Sequence, residues 1–429
     1  MHNKISIVTT RFLSLLVLSL LAPLSFAQIL PNSPQSVTIA QPMQIANLQS
    51  WEFEGDPQFA LIDRIGFDLE VYKNKPYVVF SDKNQNKKIS VMTRDSSGTG
   101  WINVGPSGFS AGEIRFPRIK IQDDAIYVAF EDRMQQGYKI SVMKYDQNTN
   151  VWNYVGQRGT SPGEARAPDL EIYKGAPYVA YYGLQHGNPH RGATVQKFDA
   201  QTGQWEFVGN AGFSNNSNIF HIDLEIANNI PYVAYFQNQN ATQPRVSVHR
   251  LDYASNTWPL LGSVFTNNVS MRKDLEIHNE DVYLSMNGLY KYDRLQNTWD
   301  MIAPAQTAHD FEFAGSKPEF AYMILEGSYS MREYYARVDG LSTPPTWSRI
   351  GQARIETKMS QYIDLEIDAD TGTQYLAYSN HERNSAPLSL NVKKLQRVSL
   401  AVPNGAVLSA PAPRPRRRDL QMKKAPLKK

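Results

Sequence analysis

Apolar runs separated by polar turns return along the chain at intervals near fifty residues, and within each interval they come in four kinds. The first carries an Asp-Leu-Glu marker, at 68–70, 169–171, 223–225, 274–276 and 364–366, with Asp310-Phe311-Glu312 as a variant and Arg118-Ile119-Lys120 as a degenerate copy. The second is a short apolar run such as Pro76-Tyr77-Val78-Val79-Phe80, Pro177-Tyr178-Val179-Ala180-Tyr181 or Pro231-Tyr232-Val233-Ala234-Tyr235. The third alternates polar and apolar residues as a half-buried strand does, as in Lys88-Ile89-Ser90-Val91-Met92 and Lys139-Ile140-Ser141-Val142-Met143. The fourth holds a tryptophan. Trp51, Trp101, Trp152, Trp205, Trp258, Trp299 and Trp347 are 50, 51, 53, 53, 41 and 48 residues apart.

Four strands per unit at a period near fifty predict β-propeller blades, because one small twisted sheet buries its faces only against copies of itself. The expected fold is all-β, a seven-bladed propeller of four-stranded blades over residues 51–395. The phase of the repeats adds a closure. The chain enters on a tryptophan strand at 51–55 and leaves on a third-type strand at 388–395, so the N-terminal strand is expected to complete the last blade and remove an open sheet edge. In the short fifth unit, Leu289-Tyr290-Lys291-Tyr292-Asp293 takes the third place.

The ends of the chain differ in kind. Residues 1–27 read as a secretory signal peptide: Lys4 and Arg11 precede the apolar run 12–24, and Ser25-Phe26-Ala27 offers a cleavage site. A linker is expected over 28–50, and no later window has the roughly 20 apolar residues of a membrane-spanning helix. Residues 396–429 form a Pro/Ala-rich basic tail too poor in apolar residues to fold alone. The formal charge of +3 divides into +2 for the leader, +7 for the tail from Pro403 and −6 for residues 28–402. An acidic globule therefore carries a basic arm suited to an anionic surface, with nucleic acid the least suitable target for an exported chain. Secreted or periplasmic location follows as an expectation. The absence of cysteine excludes disulfide scaffolds and thiol chemistry.

The Tyr145-Asp146-Gln147-Asn148-Thr149-Asn150-Val151-Trp152 segment and its relatives resemble the kelch type of propeller repeat, without the glycine doublet typical of it. The wider pattern, including Gly108-Phe109-Ser110-Ala111-Gly112-Glu113, is similar to bacterial exported propeller repeats. The resemblance implies architecture and export, and carries no catalytic residue over.

Repetition separates scaffold from site. The recurring Asp and Glu fall on one side of the innermost strand. They are expected to accept hydrogen bonds from the neighbouring blade, the alternative being an acidic ring that draws a cation, with Arg118 and Lys120 neutralising neighbours. The tryptophans are expected to pack. Positions that vary between repeats are the ligand candidates: Arg115, Arg166, His221, Arg272 and Lys358, with Phe109, Phe116, Phe213, Phe220 and Tyr362 interleaved. A second set of loops contributes His186 and His190, 238–245 and 381–383. Cationic and aromatic groups at a channel mouth suit a glycan or protein ligand.

No Gly-x-Ser-x-Gly elbow, phosphate loop, His-Glu-x-x-His or sialidase-type Asp box is present, and no cofactor or metal is implied. The expected function is an exported non-catalytic binding module for a glycan or protein. Two alternatives stand beside it: an exported carbohydrate-active hydrolase or lyase with acids at the channel mouth, and an envelope-associated structural subunit tethered by its tail.

Overall fold

A computed structural model describes residues 44–402 apart from 136, 185–189, 215–217, 239–243, 267–268, 270–272, 304–307, 316, 327–329, 340–345, 350–358 and 382–387. The leader and the tail from 403 onward lie outside the described residues, whereas 396–402, expected as tail, continue the last strand. Contacts divide the chain into a unit Ala46–Leu400, described here, and a second made of its two ends.

The chain is all-β. After β1 (Gln44–Phe53) it builds a series of antiparallel strand groups, each in sequence order, of which the first and the last are joined through β2 and β27 into one eight-stranded sheet. They are β2 (Ala60–Tyr72), β3 (Lys75–Asp82), β4 (Lys88–Arg94) and β5 (Trp101–Asn103); β6 (Ile114–Gln122), β7 (Ala125–Met134), β8 (Gly137–Asp146) and β9 (Val151–Tyr154); and β10 (Ala165–Tyr173), β11 (Ala176–Gly183), β12 (Gly192–Asp199) and β13 (Gln204–Phe207). Next come β14 (Ile219–Ala227), β15 (Ile230–Asn238) and β16 (Pro244–Arg250), then β17 (Asp274–His278), β18 (Asp281–Ser285), β19 (Leu289–Asp293) and β20 (Thr298–Ala303). The series ends with β21 (Ala308–Ala314), β22 (Lys317–Glu326), β23 (Ser330–Asp339) and β24 (Thr346–Arg349), and with β25 (Met359–Ile367), β26 (Gln374–His381) and β27 (Leu388–Val402). Strand β19 occupies the place expected for the short fifth unit.

The fourth sheet departs from four strands. Trp258 is followed by Pro259, which has no N–H to give to a ladder, and the segment meets β16 only through isolated bridges such as His249 with Leu260 and Val246 with Phe265.

Alternation along the first strand of each sheet decides what it shows to its neighbours. In β6, Ile119 and Ile121 are buried while Arg118 and Lys120 face the other way. The buried residues of consecutive sheets form shared clusters: Val79 and Val91 with Ile119, Ile121 and Val128, Val142 with Leu170 and Val179, Val195 with Leu224 and Val233. The first strands touch in sequence, β2 to β6, β10, β14, β17, β21 and β25, and β25 touches β2. Strand β1 pairs with β27, and the start of β2 (Ala60–Ile62) pairs with the same strand before a bulge hands β2 over to β3.

Among the described side chains the tryptophans do pack, as their period predicted. Trp101, Trp152, Trp205, Trp258 and Trp299 each donate their indole N–H to a backbone carbonyl of the preceding unit, at 2.8–3.1 Å. Each indole lies over a glycine that follows that carbonyl. At Gly209, φ is +68° and an added Cβ would stand 2.5 Å from Trp258 Nε1 and 2.8 Å from Leu251 Cδ1. Gly209→Ala is therefore expected to cost about 2–4 kcal/mol through backbone strain and overpacking, read as a lower urea midpoint, whereas Gly203→Ala, with open space around it, is expected to lose about 1 kcal/mol through its positive φ alone.

Candidate functional site

The residues that alternate away from the core converge on a cavity of about 550 Å³ along the first strands. Its depth follows the sequence of each strand. Phe116, Phe220 and His221 stand at one end, the aspartates and Arg118 lie next, and the glutamates and Lys120 lie beyond them. Phe116 and Phe220 keep 38% and 50% of their surface exposed at this end of the cavity, and the Phe220 ring lies 6.3 Å from that of Phe236. Phe116 has φ of +46° and is followed by Pro117, a conformation costly for a bulky residue.

The aspartate tier is stitched from strand to strand. The Ile119 N–H donates to Asp68 at 2.8 Å, Leu224 to Asp169 at 2.7 Å, Phe311 to Asp274 at 3.0 Å and Leu69 to Asp364 at 2.7 Å, and Leu365 donates to Asp310. Asp223 binds the buried ammonium of Lys273. The bracing expected of the repeated acids is thus present. Where the marker is degenerate, Arg118 stands 3.4 Å from Asp169 and 3.7 Å from Asp68, and Lys120 stands 3.3 Å from Glu171 and 3.9 Å from Glu70.

The cations form their ion pairs on one arc of the cavity. Arg118, Lys120 and Lys273 sit among Asp68, Glu70, Asp169, Glu171 and Asp223. On the opposite arc Asp274 is hydrogen-bonded to Asp310, and Asp310 to Asp364. Carboxyl groups bonded to each other must share protons. Burial, followed by the charge of Asp223, pushes Asp274 up to about 7. Burial first, and then neighbouring glutamates, hold Glu225, Glu276, Glu312 and Glu366 well above the carboxylate range. Burial likewise raises Glu70 to about 7 against the opposing pull of Lys120. Burial also raises Asp68 well above the carboxylate range and raises Glu171 and Asp223, in each case against the pull of a neighbouring cation, so raised acids line both arcs of the cavity. Among the described residues no group of three or more His, Asp or Glu is arranged to hold a metal ion, and no helix is long and apolar enough to cross a membrane.

Of the residues singled out from the sequence, Phe116, His221 and Phe220 line the cavity. Arg115 and Arg166 do not. Arg115 lies over the Tyr138 ring at 4.3 Å, and Arg166 lies 3.5 Å from Glu164. Bulges between Arg115 and Arg118, and between Arg166 and Asp169, turn the two arginines away from the side on which the marker acids fall. Phe109 and Phe213 stack on Trp152 and Trp258 at 4.5 and 4.7 Å and belong to the packing. Arg272, Lys358 and His186 lie outside the described residues, as do 239–243 and 382–387; for Tyr362 only the backbone is described. His190 meets the edge of Phe207. Lys273 went unnoticed in the sequence, although its place directly before a marker aspartate was a legible signal.

No family model matches the chain, and no curated protein matches it. The kelch-type likeness thus extends no further than its turns, where Asp146 accepts from the Asn148 N–H at 2.9 Å and from Thr149 Oγ1 at 2.7 Å. Among solved structures the chain is similar to the polysaccharide lyase Uly1, at 11% identity over 83% of this chain and 99% of that one, with a TM-score of 0.49. A Mycobacterium tuberculosis puromycin-hydrolyzing peptidase matches at 11% identity over 83% of this chain and 55% of its own, with a TM-score of 0.48. A Penicillium chrysogenum α-L-arabinanase complexed with arabinobiose matches at 10% identity over 81% and 97%, with a TM-score of 0.41. These neighbours are enzymes, with carbohydrate-active ones prominent, and the expectation of a non-catalytic binding module is corrected accordingly.

Proposed function

We propose that the protein is an exported carbohydrate-active enzyme that breaks glycosidic bonds by general acid–base chemistry, on a seven-bladed propeller closed by its N-terminal strand. The closure reading is supported by the pairing of β1 with β27 and by the return of the first-strand contacts from β25 to β2. Export is supported by the leader-like residues 1–27.

The observation that carries the functional reading is that one cavity brings the mutually hydrogen-bonded Asp274 and Asp310 together with Asp169, which lies beside a guanidinium. Glycosidic bond cleavage requires one carboxylic acid that gives a proton to the departing oxygen and one carboxylate that accepts a proton. The Asp274–Asp310 pair holds the first in reserve at neutral pH. Asp169, 3.4 Å from the Arg118 guanidinium, is placed to supply the second. Phe116 and Phe220 at the mouth offer apolar faces on which a sugar ring can lie. The carboxylate activates a water in hydrolysis, or takes a carbon-bound proton in elimination.

The test is a panel of neutral, acidic and amino polysaccharides incubated with the whole protein, scored for new reducing ends and for unsaturated sugars. Both signals together identify a lyase, and reducing ends alone a hydrolase. Asp274→Asn and Asp169→Asn, which retain a hydrogen-bond acceptor for the neighbouring N–H, are expected to lower the rate about 10²–10⁴-fold with the fold intact. No product from any polymer, or variants as active as the parent, would overturn the reading.

A further inference from the structure

Glu131 breaks the repeat. The position after Phe80, Tyr181, Tyr235 and Tyr378 holds Ser81, Tyr182, Phe236 and Ser379, whereas after Phe130 it holds a carboxylic acid. That carboxyl is fully buried. One oxygen accepts the Ala167 N–H at 2.8 Å, in the next sheet, and the other is buried without a hydrogen-bond partner. An orphaned carboxyl oxygen is retained at a cost unless the group does something its neighbours in the repeat need not do.

Its partner amide shows what that is. Ala167 has φ of +51° and precedes Pro168, within the bulge between Arg166 and Asp169. Arg166 pairs with Tyr182 and Asp169 with Ala180, so two residues, Ala167 and Pro168, oppose one. Without the extra residue Pro168 would stand opposite Ala180, and Asp169 and Glu171 would swing to the other face of the strand. The bulge therefore decides whether these two acids reach the cavity, and a left-handed alanine before proline is strained, as is Phe116 before Pro117 in the matching bulge of β6.

We propose that Glu131 is a positioning residue of the cavity: a buried carboxyl that clamps the bulge of β10 and thereby turns Asp169 and Glu171 toward the cavity. The charged groups acting on it are Arg115 from β6, Arg166 from β10 and Glu164 just before β10. Burial outweighs both arginines and the Ala167 N–H and raises the group to about 7. The neutral form costs less there, since an uncharged O–H forgoes one hydrogen bond whereas a carboxylate forgoes the solvation of a full charge. The inference concerns the geometry of the cavity and stands whether or not glycans are cleaved in it.

The experiment is amide hydrogen exchange on Glu131→Gln and Glu131→Ala, together with denaturation at pH 5 and pH 8. Glu131→Gln keeps an acceptor and cannot ionise. It is expected to retain protection at Ala167 and to gain in Tm over the parent by about 2–4 °C between pH 5 and pH 8. Glu131→Ala is expected to exchange at least about tenfold faster at Ala167 and also at Leu224, whose N–H is held by Asp169 and is not touched by Glu131. Unchanged exchange at Leu224 in Glu131→Ala would overturn the positioning role. A Glu131→Gln curve parallel to that of the parent from pH 5 to pH 8 would overturn the proton-bearing state, and it remains readable if the alanine variant does not fold.

Discussion

Deleting Trp51–Gly55 is expected to leave little or no soluble folded protein. The segment binds the end of the fold to its beginning. Trp51 is 3% exposed and packs with Leu365, Leu376, Tyr378 and Leu395 of the last strands. The Glu54 N–H donates to Val392 O at 2.9 Å, the Glu54 carbonyl accepts the Trp101 indole N–H at 3.1 Å, and the Lys393 ammonium lies 4.6 Å from the centre of the Phe53 ring. Removing these residues uncovers the edge of β27 and a hydrophobic cluster together, the combination that promotes edge-to-edge aggregation. The milder Trp51→Ala is expected to cost about 3–5 kcal/mol, the range for truncating a large buried aromatic. Soluble yield and urea denaturation measure both. A deletion as soluble and stable as the parent would show that the last sheet stands without β1.

Stability is expected to fall as pH rises from 5 to 8, the reverse of ordinary acid denaturation. The sign follows from the direction of the shifts. Glu70 and Asp274 are raised to about 7, from unfolded-chain values of 4.5 and 3.8. An acid raised on folding favours the native state while it keeps its proton; that contribution is complete below the unfolded value and is lost as pH climbs through the folded one. For these two groups the window runs from about 4 to about 7, and Glu225, Glu276, Glu312 and Glu366, also raised well above the carboxylate range, act in the same sense. Glu276→Gln and Glu366→Gln are each expected to stabilise by about 1–2 kcal/mol at pH 8 and to change little at pH 4. Lys120→Met is expected to do the opposite, because Lys120 lowers the pKa values of Glu70, Glu171, Glu225, Glu276, Glu312 and Glu366. Urea titrations at pH 4, 6 and 8 decide it. A wild-type curve rising with pH would mean that the cavity acids are solvated and independent.

The repeating parts of this protein are written locally. Tryptophan, a positive-φ glycine one unit earlier, the Asp-Leu-Glu strand and the Asx turn at Asp146 each need only neighbours of the same kind, so their spacing in the chain already reports the packing. The bracing role of the aspartates was legible for that reason. Exceptions to the period were partly legible: Arg118 and Lys120 stand where acids recur, and Pro259 follows Trp258 where a strand was expected.

What the chain could not report locally is parity and protonation. A single-residue bulge decides whether Arg115 or Phe116 reaches the cavity, and alternation alone gives no warning of it. The protonation of Asp274 depends on Asp223 and Asp310, residues 51 positions before it and 36 after it, brought to one wall by three different sheets. Sequence by itself determined the period, the strand types and the scaffold role of the tryptophans and aspartates, since each is a near-neighbour property repeated down the chain. Tertiary structure alone decided which varied residues face the cavity and which acids keep their protons, since both depend on register and on charges that meet only when distant strands are packed side by side.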